Sequence, residues 1–248
     1  MIEIQHLYKS FDGRPVLEDI SLTIPTGGIF AIIGRSGSGK SVLIRHIIGL
    51  LKPDKGIVRV DGIDINRLEY AELRHVRQRF GMLFQHGALF DYMTAFENVA
   101  FPLRMFTSCG EAEIRERVQH CLEMVELPDV GPKKPSELSG GMQKRVALAR
   151  AIALNPEYIL YDEPTSGLDP LTSETINRLI KNLAVELNAT SVVVTHDMHQ
   201  VFTVAERVAF IYEHRLRWTG TVEELRRASD PVLNEFIRAG AYPVEERC

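Results

Sequence analysis

Apolar and polar positions along this chain change period several times, and each change marks an element. Residues 2–7 (Ile-Glu-Ile-Gln-His-Leu) alternate apolar and polar positions, which predicts a half-buried strand. Asp12-Gly13 is a turn signal, and residues 20–24 alternate again before Pro25-Thr26-Gly27-Gly28. An antiparallel opening sheet is the simplest account of that stretch. Residues 29–33 (Ile-Phe-Ala-Ile-Ile) are apolar throughout, as a strand covered on both faces would be. Residues 57–60 before Asp61-Gly62 predict a further strand and turn. A polar helical segment over 71–79 leads to the apolar run 80–84, which ends at Gln85. Two more buried strands are expected at 157–162 and 190–195, with a helix over 171–187 between them. A hairpin over 207–219 and a short helix at 222–227 follow.

Residues 86–138 follow another pattern. Segments 95–103 and 111–127 are helical, and Ile114, Val118, Cys121, Leu122 and Val125 form one apolar face at helical spacing. No strand pattern occurs there, so the region reads as a helical subdomain inserted into an α/β core. Cys121 on that face is core filling. Phe90, Tyr92, Met93 and Phe96 are rich in ring and thioether surface for a loop, and both internal packing and docking of a partner fit them. A strong helix is expected over 143–154. The tail from Asp230 to Cys248 carries Leu233, Phe236, Ile237 and Tyr242, suited to packing on the domain or on another chain.

Composition narrows this picture only modestly. At 248 residues the chain suits one large α/β domain, with an ordinary 25% charged and 45% hydrophobic content. A net charge of −4 without a basic block gives no reason to expect nucleic acid. Cys109, Cys121 and Cys248 are an odd number without metal-ligand spacing, as expected of a reduced cytosolic protein. The N-terminus lacks the pattern of a signal peptide, and no uncharged stretch reaches the ~18 residues of a membrane span, so any membrane contact is expected through partners.

Candidate chemistry sits at strand ends. Residues 34–41 (Gly-Arg-Ser-Gly-Ser-Gly-Lys-Ser) read G-x-x-x-x-G-K-S between the strand at 29–33 and a helix start at Val42. In that context the glycines let successive amides point into one concavity at a helix N-terminus, a cradle for phosphate. Gly34, Ser36, Gly37, Ser38, Gly39, Lys40, Ser41 and Val42 are therefore the expected nucleotide contacts, with Lys40 reaching the β- and γ-phosphates and Ser41 on Mg²⁺. Gln85 ends a core strand, where parallel sheets bind ligands. Ser139, Gly140 and Gly141 form a second Ser/Gly turn on a helix N-terminus; an ordinary cap is one reading, an anion site the other. Asp162 and Glu163 are paired acids at the end of a buried strand, and a metal–phosphate site relieves their repulsion. Asp162 suits Mg²⁺ through water, and Glu163 suits orientation of an attacking water. His196 closes a third core strand and can donate to a γ-phosphate.

Taken together, these residues resemble an ABC-transporter nucleotide-binding subunit over nearly the whole chain. Residues 34–41 match the Walker A motif, Gln85 the Q-loop and Leu138-Ser139-Gly140-Gly141-Met142 the LSGGQ signature. Residues 158–162 with Glu163 are similar to Walker B and its catalytic glutamate, residues 166–169 to the D-loop, and His196 to the switch histidine. The resemblance implies a single P-loop ABC ATPase domain with a mixed parallel core sheet, an antiparallel β subdomain and an inserted α-helical subdomain. Residues 1–85 and 155–228 would form the nucleotide-binding core, 86–154 the helical subdomain with the signature, and 229–248 a C-terminal tail. It also implies catalytic roles for Lys40, Gln85, Glu163 and His196, a metal site of Ser41, Gln85 and Asp162, and nucleotide contact by Asp169. Phe11 falls at the adenine-stacking position, which leaves packing for Tyr8. Two ATPs would lie sandwiched in a head-to-tail dimer, the signature of one copy completing the phosphate loop of the other. Met142 departs from the signature glutamine, with Gln143 just after it, so a polar contact near the nucleotide is lost or relocated.

Residues 81–90 and 97–104, with the methionine of the signature, further resemble the Mla/Mkl subfamily, ATPases of systems that move phospholipid between bacterial membranes. That implies a subunit on the cytoplasmic face of the inner membrane, receiving a permease helix around residues 85–105, with a periplasmic lipid-binding subunit beyond. Amino-acid importers share most of these motifs. A soluble ABC ATPase of translation or DNA repair is a further alternative, although such proteins usually carry tandem cassettes or a coiled-coil insert. A nucleotide-gated module with little turnover fits poorly with intact Lys40, Glu163 and His196.

Overall fold

The computed structural model describes residues 1–240; residues 241–248, where Tyr242 and Cys248 fall, lie outside the described residues. The chain divides into two compact units, one of Met1–Arg74 with the segment from Val192 onward, the other of His75–Ser191.

In the first unit, strands β1 (Ile2–Phe11), β2 (Arg14–Ile24), β4 (Lys55–Val60) and β5 (Ile63–Asp64) form a sheet in the order β2-β1-β4-β5. Both β1 pairings are antiparallel, and Ile2, Ile4 and Leu7 turn their side chains inward. Strand β3 (Ile29–Ile33) pairs in parallel with β9 (Arg207–Tyr212), which forms an antiparallel hairpin with β10 (Arg215–Thr221). β8 (Thr190–Thr195) is the other neighbour of β3. Helices α1 (Lys40–Ile47), α7 (Met198–Val204) and α8 (Val222–Arg226) accompany these strands, and α2 (Tyr70–Gln78) leads out of the unit.

The tail is resolved by its last described element. Helix α9 (Pro231–Gly240) sinks Leu233 and Phe236 into a core cluster with Met198, Val201 and Phe210, so this segment packs on its own unit. The sequence spacing of Leu233, Phe236 and Ile237 is that of one helix face. Tyr8 corrects an expectation: it stands on the outside of the sheet, exposed rather than packed. Its neighbour Leu7 takes the inward position, because alternate strand residues face opposite ways.

The second unit is mainly helical: α3 (Ala95–Phe106), α4 (Glu111–Met124), α5 (Gly140–Ile152) and α6 (Pro170–Glu186), with β6 (Phe80–Leu83) and β7 (Tyr158–Asp162) paired in parallel. As expected, Ile114, Val118, Cys121, Leu122 and Val125 are buried, and residues 86–138 contain no strand. The loop aromatics divide between the two readings. The Phe90 ring packs at a tilt against Phe101, centre to centre 4.9 Å, whereas Tyr92 is 72% exposed. The α/β reading holds in both units.

Candidate functional site

Within the first unit, the 34–39 loop joins β3 to α1. Gly39 is the cap residue of α1 at φ 97°, and a Cβ there would strike the Val16 carbonyl oxygen at 2.6 Å, so only glycine serves. No side chain caps this helix, leaving its first amides and the positive end of its dipole directed at the loop. Lys40 is buried, and its Nζ donates to the carbonyls of Gly34 (2.8 Å) and Arg35 (3.1 Å), inside the loop's own curl. Ser38 Oγ is buried without a hydrogen-bond partner. An uncapped helix end, an ammonium folded into the loop and an orphaned hydroxyl fit a phosphate group, since each gains a partner when an anion enters. Arg35 and Ser36 are exposed at the loop tip, while Ser41 and Val42 are half-buried in the first turn of α1.

Two further predicted residues belong to this unit. Phe11 ends β1 with 42% of its surface exposed, and Lys9 Nζ lies 5.4 Å from its ring centre. Its exposed face is available for stacking. His196 is exposed directly after β8, the strand beside β3.

Within the second unit, the parallel pair β6–β7 sets the acids. The register ends at Leu83 opposite Tyr161; two residues further along each strand stand Gln85 and Glu163. Asp162 is buried at 4% exposure, and Glu163 is half-buried. Glu163 adopts φ 49°, a left-handed conformation unusual for a residue with a long side chain. Such strain gathers where a side chain must be aimed. Gln85 Nε2 approaches Ser166 Oγ at 3.5 Å.

Ser139 caps α5, its Oγ accepting from the Met142 amide at 3.3 Å. The two glycines after it differ. Gly140 opens to free space, whereas a Cβ on Gly141 would collide with Thr172, so close packing inside the unit already requires that glycine. The amide of Gln143, just after Met142, donates to Pro135 O (2.9 Å) and Leu138 O (3.1 Å), bracing the turn before α5. Asp169 caps α6, accepting from the Thr172 amide and hydroxyl, and these bonds hold its carboxyl below the usual carboxylate range.

Sequence reasoning missed the cations of α5. Arg150 donates to the carbonyls of Gly87 and Ala88, both at 2.8 Å, fixing the loop after Gln85. Buried Asn98 grips the same loop through Phe90, Met93 and Thr94. Lys144 reaches the turn after Glu163, with Nζ donating to Pro164 O (2.9 Å) and Ser166 O (2.6 Å). Burial lowers the pKa of the Lys144 ammonium, and the nearby Glu163 charge opposes that shift. The sequence signal was available in principle: basic residues among the apolar positions of a helix must find acceptors if they are buried.

The family profile described as "ABC transporter" matches residues 17–166, more than half of the chain. The chain belongs to that family. It is 42% identical, over 95% of its length, to the probable ribonucleotide transport ATP-binding protein mkl of Mycobacterium tuberculosis, and spans 66% of that relative. It is 43% identical to the intermembrane phospholipid transport system ATP-binding protein MlaF of Haemophilus influenzae, covering 96% of this chain and 90% of the relative. Among solved structures it is similar to the ATP-binding cassette MJ0796, described as dimeric in a post-hydrolysis state with ADP and Pi. That match has a TM-score of 0.83 and 37% identity, covering 90% of this chain and 99% of the other. The resemblance read from the motifs, to ABC ATP-binding subunits and to the Mla/Mkl branch, is borne out, and the fold is that of an ATP-binding cassette.

Proposed function

We propose that this chain is the ATP-hydrolysing subunit of an ABC transporter that moves phospholipid, acting as a head-to-tail dimer beneath membrane permease subunits. The observation that carries the reading is the loop at 34–41: an uncapped helix end, Lys40 folded onto two loop carbonyls and the partnerless Ser38 hydroxyl. On nucleotide binding, Lys40 exchanges those carbonyls for β- and γ-phosphate oxygens. The amides of residues 36–41 wrap the phosphates, and Phe11 stacks on the base. Among the described residues no cluster of three or more His, Cys, Asp or Glu could hold a metal ion. Mg²⁺ would therefore be held chiefly through the nucleotide, with Ser41 and Gln85 as direct protein ligands and Asp162 through water. Bound there, the ion neutralises charge on the phosphates.

Glu163 accepts a proton from the attacking water and orients it, and His196 donates to the γ-phosphate. Residues 139–141 of a second copy close the site, Ser139 and the open Gly140 supplying the contacts. Closure drives the permease, and the separation of phosphate from ADP reopens the dimer. No described helix is long and apolar enough to cross a membrane; a place at the cytoplasmic face of the bacterial inner membrane, reached through the permease, rests on the likeness to MlaF. The phospholipid cargo and a periplasmic lipid-binding subunit rest on the likeness to MlaF.

Glu163→Gln keeps the shape of the side chain and removes the base. It is expected to leave ATP affinity within about twofold and to lower steady-state hydrolysis by at least ~100-fold. An unchanged rate would take Glu163 out of catalysis. Purifying the native complex and assaying it for permease and bound phospholipid tests the cargo; co-purification with an amino-acid permease instead would overturn it.

A further inference from the structure

We infer that Lys144 is a positioning residue for Glu163, fastening the 164–166 turn to the helix that begins with the signature. The inference rests on the catalytic role proposed for Glu163. Lys144 is 7% exposed, and its Nζ makes two short charge-assisted bonds, to Pro164 O at 2.9 Å and Ser166 O at 2.6 Å. A buried ammonium is costly unless its hydrogens are bonded, so a lysine at a helix position that an apolar side chain could fill points to the acceptors it serves. Those acceptors flank the residues just after Glu163.

Glu163 itself stands in the left-handed region at φ 49°, and such a conformation persists only where its surroundings over-determine it. The turn supplies two bonds of its own, Ser166 N to Glu163 O (3.1 Å) and Leu168 N to Thr165 O (3.2 Å). Lys144 adds a side-chain grip on this turn from α5, through the carbonyls of Pro164 and Ser166. Its ammonium also lies within electrostatic reach of the Glu163 carboxylate. Removing the donor releases one buried and one part-buried carbonyl, and the backbone at Glu163 relaxes toward an ordinary conformation. The carboxylate then turns away from the water it should hold. Because Lys144 sits on α5, a displacement of residues 139–141 by an arriving partner is passed to the same turn.

The test is a set of steady-state ATPase measurements on the full chain. Lys144→Met is expected to lower kcat at least tenfold with KM for ATP within twofold. Lys144→Gln, whose amide carries two donors, is expected to restore kcat to within about threefold of the parent. In a Glu163→Gln background, Lys144→Met should change the residual turnover less than twofold, because nothing remains to position. Lys144→Ala, which admits water to the two carbonyls, runs the same cycle should the methionine variant fail to fold. A tenfold loss that persists in the Glu163→Gln background, or a kcat within twofold in both Lys144 variants, would overturn the inference. Failure of the underlying reading shows separately, as an unchanged rate in Glu163→Gln alone.

Discussion

Single side chains here do work that their neighbours in sequence do not. Phe11 and Tyr8 lie three residues apart on one exposed stretch, yet only Phe11 sits at the turn, beside Lys9. If Phe11 stacks on adenine, Phe11→Ala weakens ATP binding by about tenfold, the scale of one base–aromatic contact, while Tyr8→Ala leaves it unaltered. Calorimetric titration of both variants decides between them. The cysteines divide as sharply. Burial pushes the Cys121 thiol up to about 11, whereas Cys109 is only half-buried. At pH 8 a maleimide should label Cys109 and leave Cys121 untouched until denaturant is added, as peptide mass spectrometry can show. Rapid labelling of Cys121 in the native protein would contradict its place in the α4 core. The burial of Cys121 was legible in the sequence through helical spacing, whereas for Phe11 the turn left packing and stacking open and only the family resemblance pointed to stacking. Exposure of Tyr8 was not legible, because register shifts along β1 break the simple alternation.

Among the elements, α5 and α9 gained most from coordinates. For α5 the sequence offered a capping serine, two glycines and a helix, all of which hold. Its side-chain reach across loops could not be read, because each acceptor is a backbone carbonyl and carbonyls have no sequence identity. Gly141 is instructive for the same reason: an anion contact and a close approach to Thr172 both call for glycine, and only the structure separates them. For α9, the three apolar residues were visible but their docking surface was not. Leu233 is fully buried against α7 and β9 residues, so Leu233→Ala should destabilise the protein by about 2–4 kcal/mol, seen as a lower urea midpoint. The exposed ion pair at 2.9 Å between Glu235 of the same helix and Arg35 of the 34–39 loop contributes at most about 1 kcal/mol. Glu235→Gln should therefore leave that midpoint nearly unmoved, and a large shift would assign α9 a different anchor.

For the whole molecule, the head-to-tail dimer proposed above makes a demand that no single chain could satisfy. A Lys40→Ala subunit has an intact signature, and a Gly140→Arg subunit an intact phosphate loop; each alone should be nearly inactive. Mixed, they form dimers containing one complete site, and ATPase activity that neither possesses should return. A mixture as inactive as its components would mean that each chain hydrolyses ATP by itself. Motif order made this level the most legible of all, since spacing between phosphate-binding turns survives in the sequence.

The division of the chain also bears on how it is made. The unit holding the phosphate loop is discontinuous: β3 comes early, whereas its neighbours β8 and β9 come only after the whole of His75–Ser191. On a ribosome, then, the contiguous unit is the first that can complete its own core, and the loop that will hold ATP waits with one strand unpaired on both sides. Nucleotide cannot assist early synthesis of this protein. It can only reward the finished chain.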